Sequence, residues 1–280
     1  MLMLPDAGFA ARHAVLAAGY GHRPDPEDPA QVLAMPLVLH IPKADPPART
    51  AVLEAAAAAT VALCLDARVG NGEDGEPGPW QRDYLAWTGA RIRKVARRAR
   101  GAQWLAVQDV DGVTVDVDGA QARAFVPGPV GDLDPRVRKL QIGGTDLDHD
   151  DPDDADPSLP VLWLNAPLGM TVGKAAAQVG HAAMMLAGAM TVTQAAEWAA
   201  QGFRCAVRDA DPQRWADVTA LVAAGEAVAV RDAGFTEVAP GSMTVVATAT
   251  PRDAVPGVPA GERISGRRWA FRRPGGRRRS

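Results

Sequence analysis

The chain has 280 residues, 47% of them apolar and 22% charged, enough to bury one large or two ordinary cores without disulfide staples. No apolar run reaches the roughly 18 residues of a membrane span, and Met1–Tyr20 carries Pro5 and Asp6 where an export signal would be basic. Neither Cys64 nor Cys205 has a second Cys or a His at metal-site spacing, so reduced thiols and a cytoplasmic location are expected.

The net charge of −3 conceals a segregation. Seven aspartates lie between Asp146 and Asp156, while arginines gather at Arg91–Arg100 and again from Arg263 to Arg279. Local charge decides binding to a polyanion, so a nucleic-acid partner is compatible with this sequence despite its acidic total.

In chain order, residues 1–30 are rich in Pro, Asp and Arg and read as a loosely held arm. A compact region begins at Met35–Ile41, which reads as a strand, and Ala48–Arg68 is an Ala-rich helix without a breaker. Gly70–Pro79 is a loop. Arg82–Arg100 reads as an amphipathic helix: Ile92, Val95, Ala96 and Ala99 share one half of the cylinder, and six cations between Arg91 and Arg100 share the other. The period then switches to two. Leu105–Val110, Val113–Val117 and Ala122–Val126 are predicted strands, separated by Asp111-Gly112 and Asp118-Gly119, both hairpin signals. Residues 31–145 therefore read as an α+β domain of unassigned role, followed by an acidic, Pro-rich linker at 146–160.

The second domain, 161–251, alternates. Val161–Leu164 and Phe203–Val207 are predicted strands, Val172–Ala187, Thr191–Ala200 and Pro212–Ala224 helices, with Gly225 as a cap. Glu226–Arg231 and Met243–Ala249 complete four strands, which with the interleaved helices imply an α/β sheet covered by helices. Residues 252–280 read as an Arg-rich tail. No internal repeat is evident, although both halves begin with a strand and an Ala-rich helix.

Two segments carry chemistry. In Met170–His181, the residues Lys174, Gln178 and His181 recur at helical spacing and share one face near a helix N-terminus, a surface that favours anions. In Arg231–Thr244, Asp232 ends a strand and Gly234 permits reversal. Thr236 comes next, then the turn Pro240-Gly241-Ser242, and Thr244 opens the next strand. Strand ends are where open α/β sheets collect their sites. Taken singly, each segment is better explained as a solvated helix face or a turn. The Asp146–Asp156 run lacks the Gly and terminal Glu of a calcium loop, and no metal site is expected.

Together, K-x-x-x-Q-x-x-H-A followed by D-A-G-x-T-x-x-x-P-G-S-x-T resembles the archaeal/eukaryotic-type peptidyl-tRNA hydrolases, over about a third of the chain. The resemblance implies a three-layer α/β domain with a mixed four-stranded sheet and helices on both faces. It implies hydrolysis of the peptidyl-tRNA ester without a metal or other cofactor, with tRNA as partner and no membrane. The ribosome and a second copy of the chain are left open as partners. Lys174, Asp232, His181, Thr236 and Thr244 carry over as catalytic candidates, and Gln178, Gly173, Gly234, Gly241 and Ser242 as substrate-binding ones. Asp232 would orient or deprotonate the water, and Lys174 would stabilise the oxyanion or hold the terminal phosphate. His181 would act as base or as substrate anchor, or serve only as a packing residue. The two basic clusters would meet tRNA phosphates. Phe235, Glu237, Arg231 and Met243 depart from the residues usual in the family. The alternative reading is a non-catalytic RNA-binding protein that keeps the hydrolase fold.

Overall fold

The computed structural model describes residues 6–21, 23–234 and 237–249. The chain opens with helix α1 (Ala7–Ala18), whose N-terminus is capped by the Asp6 carboxylate accepting from Phe9 N at 2.6 Å. His13 and Leu16 of α1 are buried, and His13 Nε2 lies 2.9 Å from the carbonyl of Ala187. Within the stretch expected to be a loose arm, Ala7–Ala18 is thus a packed helix; its low periodicity reflects the few residues that touch the core.

Strand β1 (Leu33–His40) leads to helix α2 (Arg49–Leu65), then α3 (Gln81–Thr88), β2 (Arg93–Ala99), α4 (Ala102–Val107), β3 (Gly112–Val117) and β4 (Ala120–Phe125). Short β5 (Gly128–Pro129) and α5 (Pro135–Arg138) end the first half. Two elements differ from expectation. The basic segment is a strand, because Gly89 caps α3 and Ile92, at φ 41°, turns the chain into parallel pairing with β1. Most of its cations then bond within the protein, while Arg91 stays half exposed and Arg100 is exposed. Arg91 and Arg93 pair with Asp25, Arg97 donates to the carbonyls of Arg138 and Leu140, and Arg98 donates to Gln141. The continuous basic face expected for tRNA does not form.

Likewise, Leu105–Val110, predicted as a strand, instead completes helix α4 and the short turn after it. Trp104 and Val107, one turn apart, are buried against Val38, Phe125, Val137 and Leu140, while Leu105 is 70% exposed. Asp111-Gly112 accordingly joins a helix to a strand, whereas Asp118-Gly119 forms the expected hairpin turn, with both residues at positive φ (50° and 84°).

Residues 146–160 contain no helix or strand, yet they are bonded to both halves. The Asp150 carboxylate accepts from Thr50 N and Oγ1, and the Asp153 carbonyl accepts from Arg208. The second half continues as β6 (Val161–Asn165), α6 (Val172–Ala189), α7 (Val192–Ala200), β7 (Ala206–Ala210), α8 (Pro212–Ala224), β8 (Val228–Arg231) and β9 (Met243–Thr248). Its sheet has the order β7-β6-β9-β8, mixed in sense, as expected. Leu162, Leu164, Val245 and Ala247 point to α6, and Trp163 lies on the other side beneath Arg214 of α8. The Arg-rich tail lies outside the described residues.

The first sheet has the order β2-β1-β4-β3, with the same parallel and antiparallel senses as the second. The helix before the second strand also ends alike in each half. Trp87 Nε1 donates to Arg93 O (2.9 Å) and Trp198 Nε1 to Arg204 O (2.7 Å), with Ile92 and Phe203 both at positive φ (41° and 57°). The chain is therefore a tandem repeat of one topology, which the divergent sequences conceal. Helices α2 and α6 pack on each other and the core runs through both sheets.

That packing is close because the residues are small. A Cβ on Gly180 would lie 2.7 Å from Thr60 Oγ1 and 3.3 Å from Lys94 Cδ. Replacing Gly180→Val should therefore lower stability by about 1–3 kcal/mol through overpacking, read as a reduced urea midpoint at unchanged slope.

Candidate active site

Helix α6 begins at Thr171, whose hydroxyl accepts from Lys174 N at 3.2 Å. The same residue donates its own N–H and O–H to the Glu237 carboxylate (2.9 and 2.8 Å), fastening the β8–β9 loop to the start of the helix. The first turns of α6 are thereby placed beside the end of β8, where the register shifts between Val230 and Arg231 and the chain leaves the sheet at Asp232.

There the two sequence segments meet. Asp232 Oδ2 accepts from Lys174 Nζ at 2.5 Å and from Gln178 Nε2 at 2.9 Å, and Oδ1 accepts from Gly234 N at 2.7 Å. Thr244 Oγ1 donates to Gln178 Oε1 at 2.6 Å, which fixes the amide so that its NH2 group faces the carboxylate. Lys174 and Asp232 expose 11% and 8% of their side chains, enough for contact with solvent while the surroundings strengthen the pairing. Three donors converge on one carboxylate, and its second oxygen accepts only the backbone bond from Gly234 among the bonds described. Such a group can hold a water molecule by that oxygen and accept its proton. An ammonium beside it can balance negative charge that develops on a substrate.

The loop geometry has a clear cause. Gly234 sits at φ 80°, and a Cβ there would lie 2.6 Å from Pro240 N. Asp232 N donates to Ser242 O (2.9 Å) and Gly241 N donates to Asp232 O (2.7 Å), so Gly234, Gly241 and Ser242 shape the turn around Asp232. Gly173 is buried, and its amide donates to Thr145 Oγ1 at 3.0 Å. Thr236 and Phe235 lie outside the described residues.

His181 stands a little apart from this cluster. Its Nδ1 is 3.0 Å from Lys94 Nζ, a residue of β2 in the first half. Burial, followed by the ammonium groups of Lys94 and Lys174, holds the imidazole well below its ordinary pKa. Burial also pushes Lys94 down to about 7. Sequence reasoning missed Lys94 and Thr145. The signal for Lys94 was available in the strand period, since Lys94 and Ala96 share one side of β2 while Arg97 and Ala99 share the other. For Thr145, a buried hydroxyl in an irregular segment, the sequence carries no signal.

With this geometry in view, residues 160–258 match the family model described as Peptidyl-tRNA hydrolase PTH2. The match spans the second repeat, about a third of the chain, and includes every residue of the Lys174–Gln178–Asp232–Thr244 cluster. The second half is thus similar to a hydrolase domain of the peptidyl-tRNA hydrolase type. No curated protein and no solved structure gives a significant match. Among the described residues no helix is long and apolar enough to cross a membrane, and no group of three or more His, Cys, Asp or Glu is arranged to hold a metal ion.

Two substitutions test how the cluster is held. Thr244→Val removes the hydroxyl at nearly constant shape and strands Gln178 Oε1, at an expected cost of about 1–3 kcal/mol. Gly234→Ala should cost a similar amount through a strained φ and should also displace Asp232. Urea unfolding measures both, and a crystal structure of Gly234→Ala would reveal the shift of the carboxylate.

Proposed function

We propose that this chain hydrolyses the ester joining a peptide to the terminal ribose of tRNA, releasing free tRNA and peptide. The observation that carries the reading is the Lys174–Asp232 pair, 2.5 Å apart, where the start of α6 lies beside the end of β8. The family match over the same residues supports it.

In this reaction the Asp232 carboxylate, oriented by Gln178 and Gly234, holds the attacking water and takes its proton as the C–O bond forms. The ester carbonyl becomes a tetrahedral oxyanion, and Lys174 lies where its ammonium balances that charge. Collapse expels the ribose oxygen, which takes up the proton held by Asp232 and leaves as the tRNA hydroxyl. Thr244 acts at one remove, through Gln178. Glu237, which stands among the departures from the usual family pattern, secures the loop that carries Asp232. The N-terminus of α6 contributes a field that attracts the anionic 3′ end of the substrate. With the cation supplied by Lys174, a chelator is expected to leave turnover unchanged. A tRNA substrate would place the protein where translation occurs.

The test is release of free tRNA from an N-blocked aminoacyl-tRNA. Lys174→Ala and Asp232→Asn should each lower kcat/KM by about 10²–10³, with tRNA binding retained in a filter assay. Native protein that binds tRNA yet releases none would favour the non-catalytic alternative. Near-normal turnover in both variants would remove the proposed mechanism.

A further inference from the structure

We propose that Lys94, contributed by the first repeat, is a positioning residue for the site in the second. By donating to Nδ1 of His181 it fixes the imidazole as the Nε2–H tautomer, so that His181 offers substrate a hydrogen-bond donor and not a base. This rests on the hydrolase reading above for its functional meaning, but its structural content stands separately.

In its ammonium form, which burial confines to pH values below about 7, Lys94 has three donors and no acceptor, so an imidazole nitrogen 3.0 Å away must present its lone pair. The proton of neutral His181 is therefore on Nε2. Protonating the ring would require Nδ1–H directed at the ammonium, which exchanges a hydrogen bond for a like-charge contact. The nitrogen through which His181 would act as a base is occupied.

The surroundings of Lys94 hold it in this role. Its Nζ also lies 3.1 Å from Met184 Sδ and 3.5 Å from Ile92 O, and 4.9 Å from the centre of the Trp87 ring. From α6 the groups facing it are His181 and Met184, with Lys174 acting on the same imidazole; from α2 it is Cys64, and from α3 Trp87 and, through Cys64, Tyr84. The Cys64 thiol is pushed up to about 12 by burial, and burial raises Tyr84 as well, so both are neutral near pH 7. The depressed pKa of His181 agrees with a ring that stays uncharged beside two ammonium groups.

Comparison of the two repeats points the same way. Lys94 comes directly after Arg93, the carbonyl partner of Trp87, as Cys205 comes after Arg204, the carbonyl partner of Trp198. Cys205 is simply buried. The fold is thus satisfied by a small apolar group at this position, and the lysine in the first half answers to its neighbour on α6. A site on one repeat is completed by a side chain from the other.

The experiment is imidazole nitrogen NMR on the full-length protein labelled with 15N-histidine, His181 being assigned by its loss in His181→Gln. The expected spectrum at about pH 6, below the Lys94 pKa of about 7, has an uncharged ring with its proton on Nε2, where an ordinary histidine with a pKa near 6.5 is mostly protonated. In Lys94→Met, which keeps the length of the side chain, the Nε2–H tautomer should no longer be fixed and the ring pKa should rise, while burial and Lys174 still hold it below its ordinary value. The same variant should lower kcat on N-blocked aminoacyl-tRNA about tenfold with KM little changed, as when an outer-shell partner of a functional histidine is removed, and Lys94→Arg should restore part of the loss. An Nδ1–H tautomer in the native protein, or ordinary titration of its His181, overturns the proposal. So does an equal loss of kcat in Lys94→Met and Lys94→Arg with the tautomer unchanged. If native protein has no hydrolase activity, the reaction assigned above fails, while the native spectrum still decides the tautomer.

Discussion

The close packing of α2 on α6 governs the rest of the molecule. Each sheet needs a helical cover, and in both halves that cover is an Ala-rich helix whose far side is also buried, against the other repeat. Small residues let the two helix axes approach, as the Gly180–Thr60 contact demonstrates. A helix buried on nearly every side cannot leave a polar side chain unpartnered without a cost of some kilocalories per mole. Lys174, Gln178 and His181 therefore each have a specific partner, on Asp232, Thr244 and Lys94 respectively. The need to satisfy polar groups at the edge of a shared core is what assembles the site.

The two repeats have the same topology and different ends. In the first, β3 and β4 join directly by the tight Asp118-Gly119 turn. In the second, β8 and β9 are separated by an eleven-residue excursion (232–242) that brings Asp232 onto α6. The contacts between repeats differ as well. Where β7 meets α2, Arg208 pairs with Glu54 (3.1 Å) and Arg49 with Asp209 (2.9 Å), conventional ion pairs that hold the halves together. Where β2 meets α6, the pairing is Lys94 with a neutral imidazole. The first repeat thus has the scaffold of the second and contributes a cation across the boundary.

Much of the second half was legible in the sequence because its signals are local. Helical spacing places Lys174, Gln178 and His181 on one side of α6, and Gly234 marks the reversal after Asp232. The first half was read less well where a local pattern admits two periods. Between Arg91 and Arg100 cations alternate with small apolar residues closely enough to fit a helix wheel, and pairing with β1 decided for the strand. At α4, Trp104 and Val107 fit one helical turn as well as they fit an extended segment, and the second core, on the far side of β1, decided for the helix.

By itself the sequence determined the sheet and helices of the second half, the motif residues, and the acidic segment without regular structure, since each arises from spacing and backbone preference. Only the tertiary structure decided that the halves repeat one topology, that the basic segment pairs as a strand, and that Lys94 reaches His181. Those outcomes depend on contacts between residues distant along the chain, whose pairing is set by which surfaces can approach closely and which buried polar groups must be satisfied.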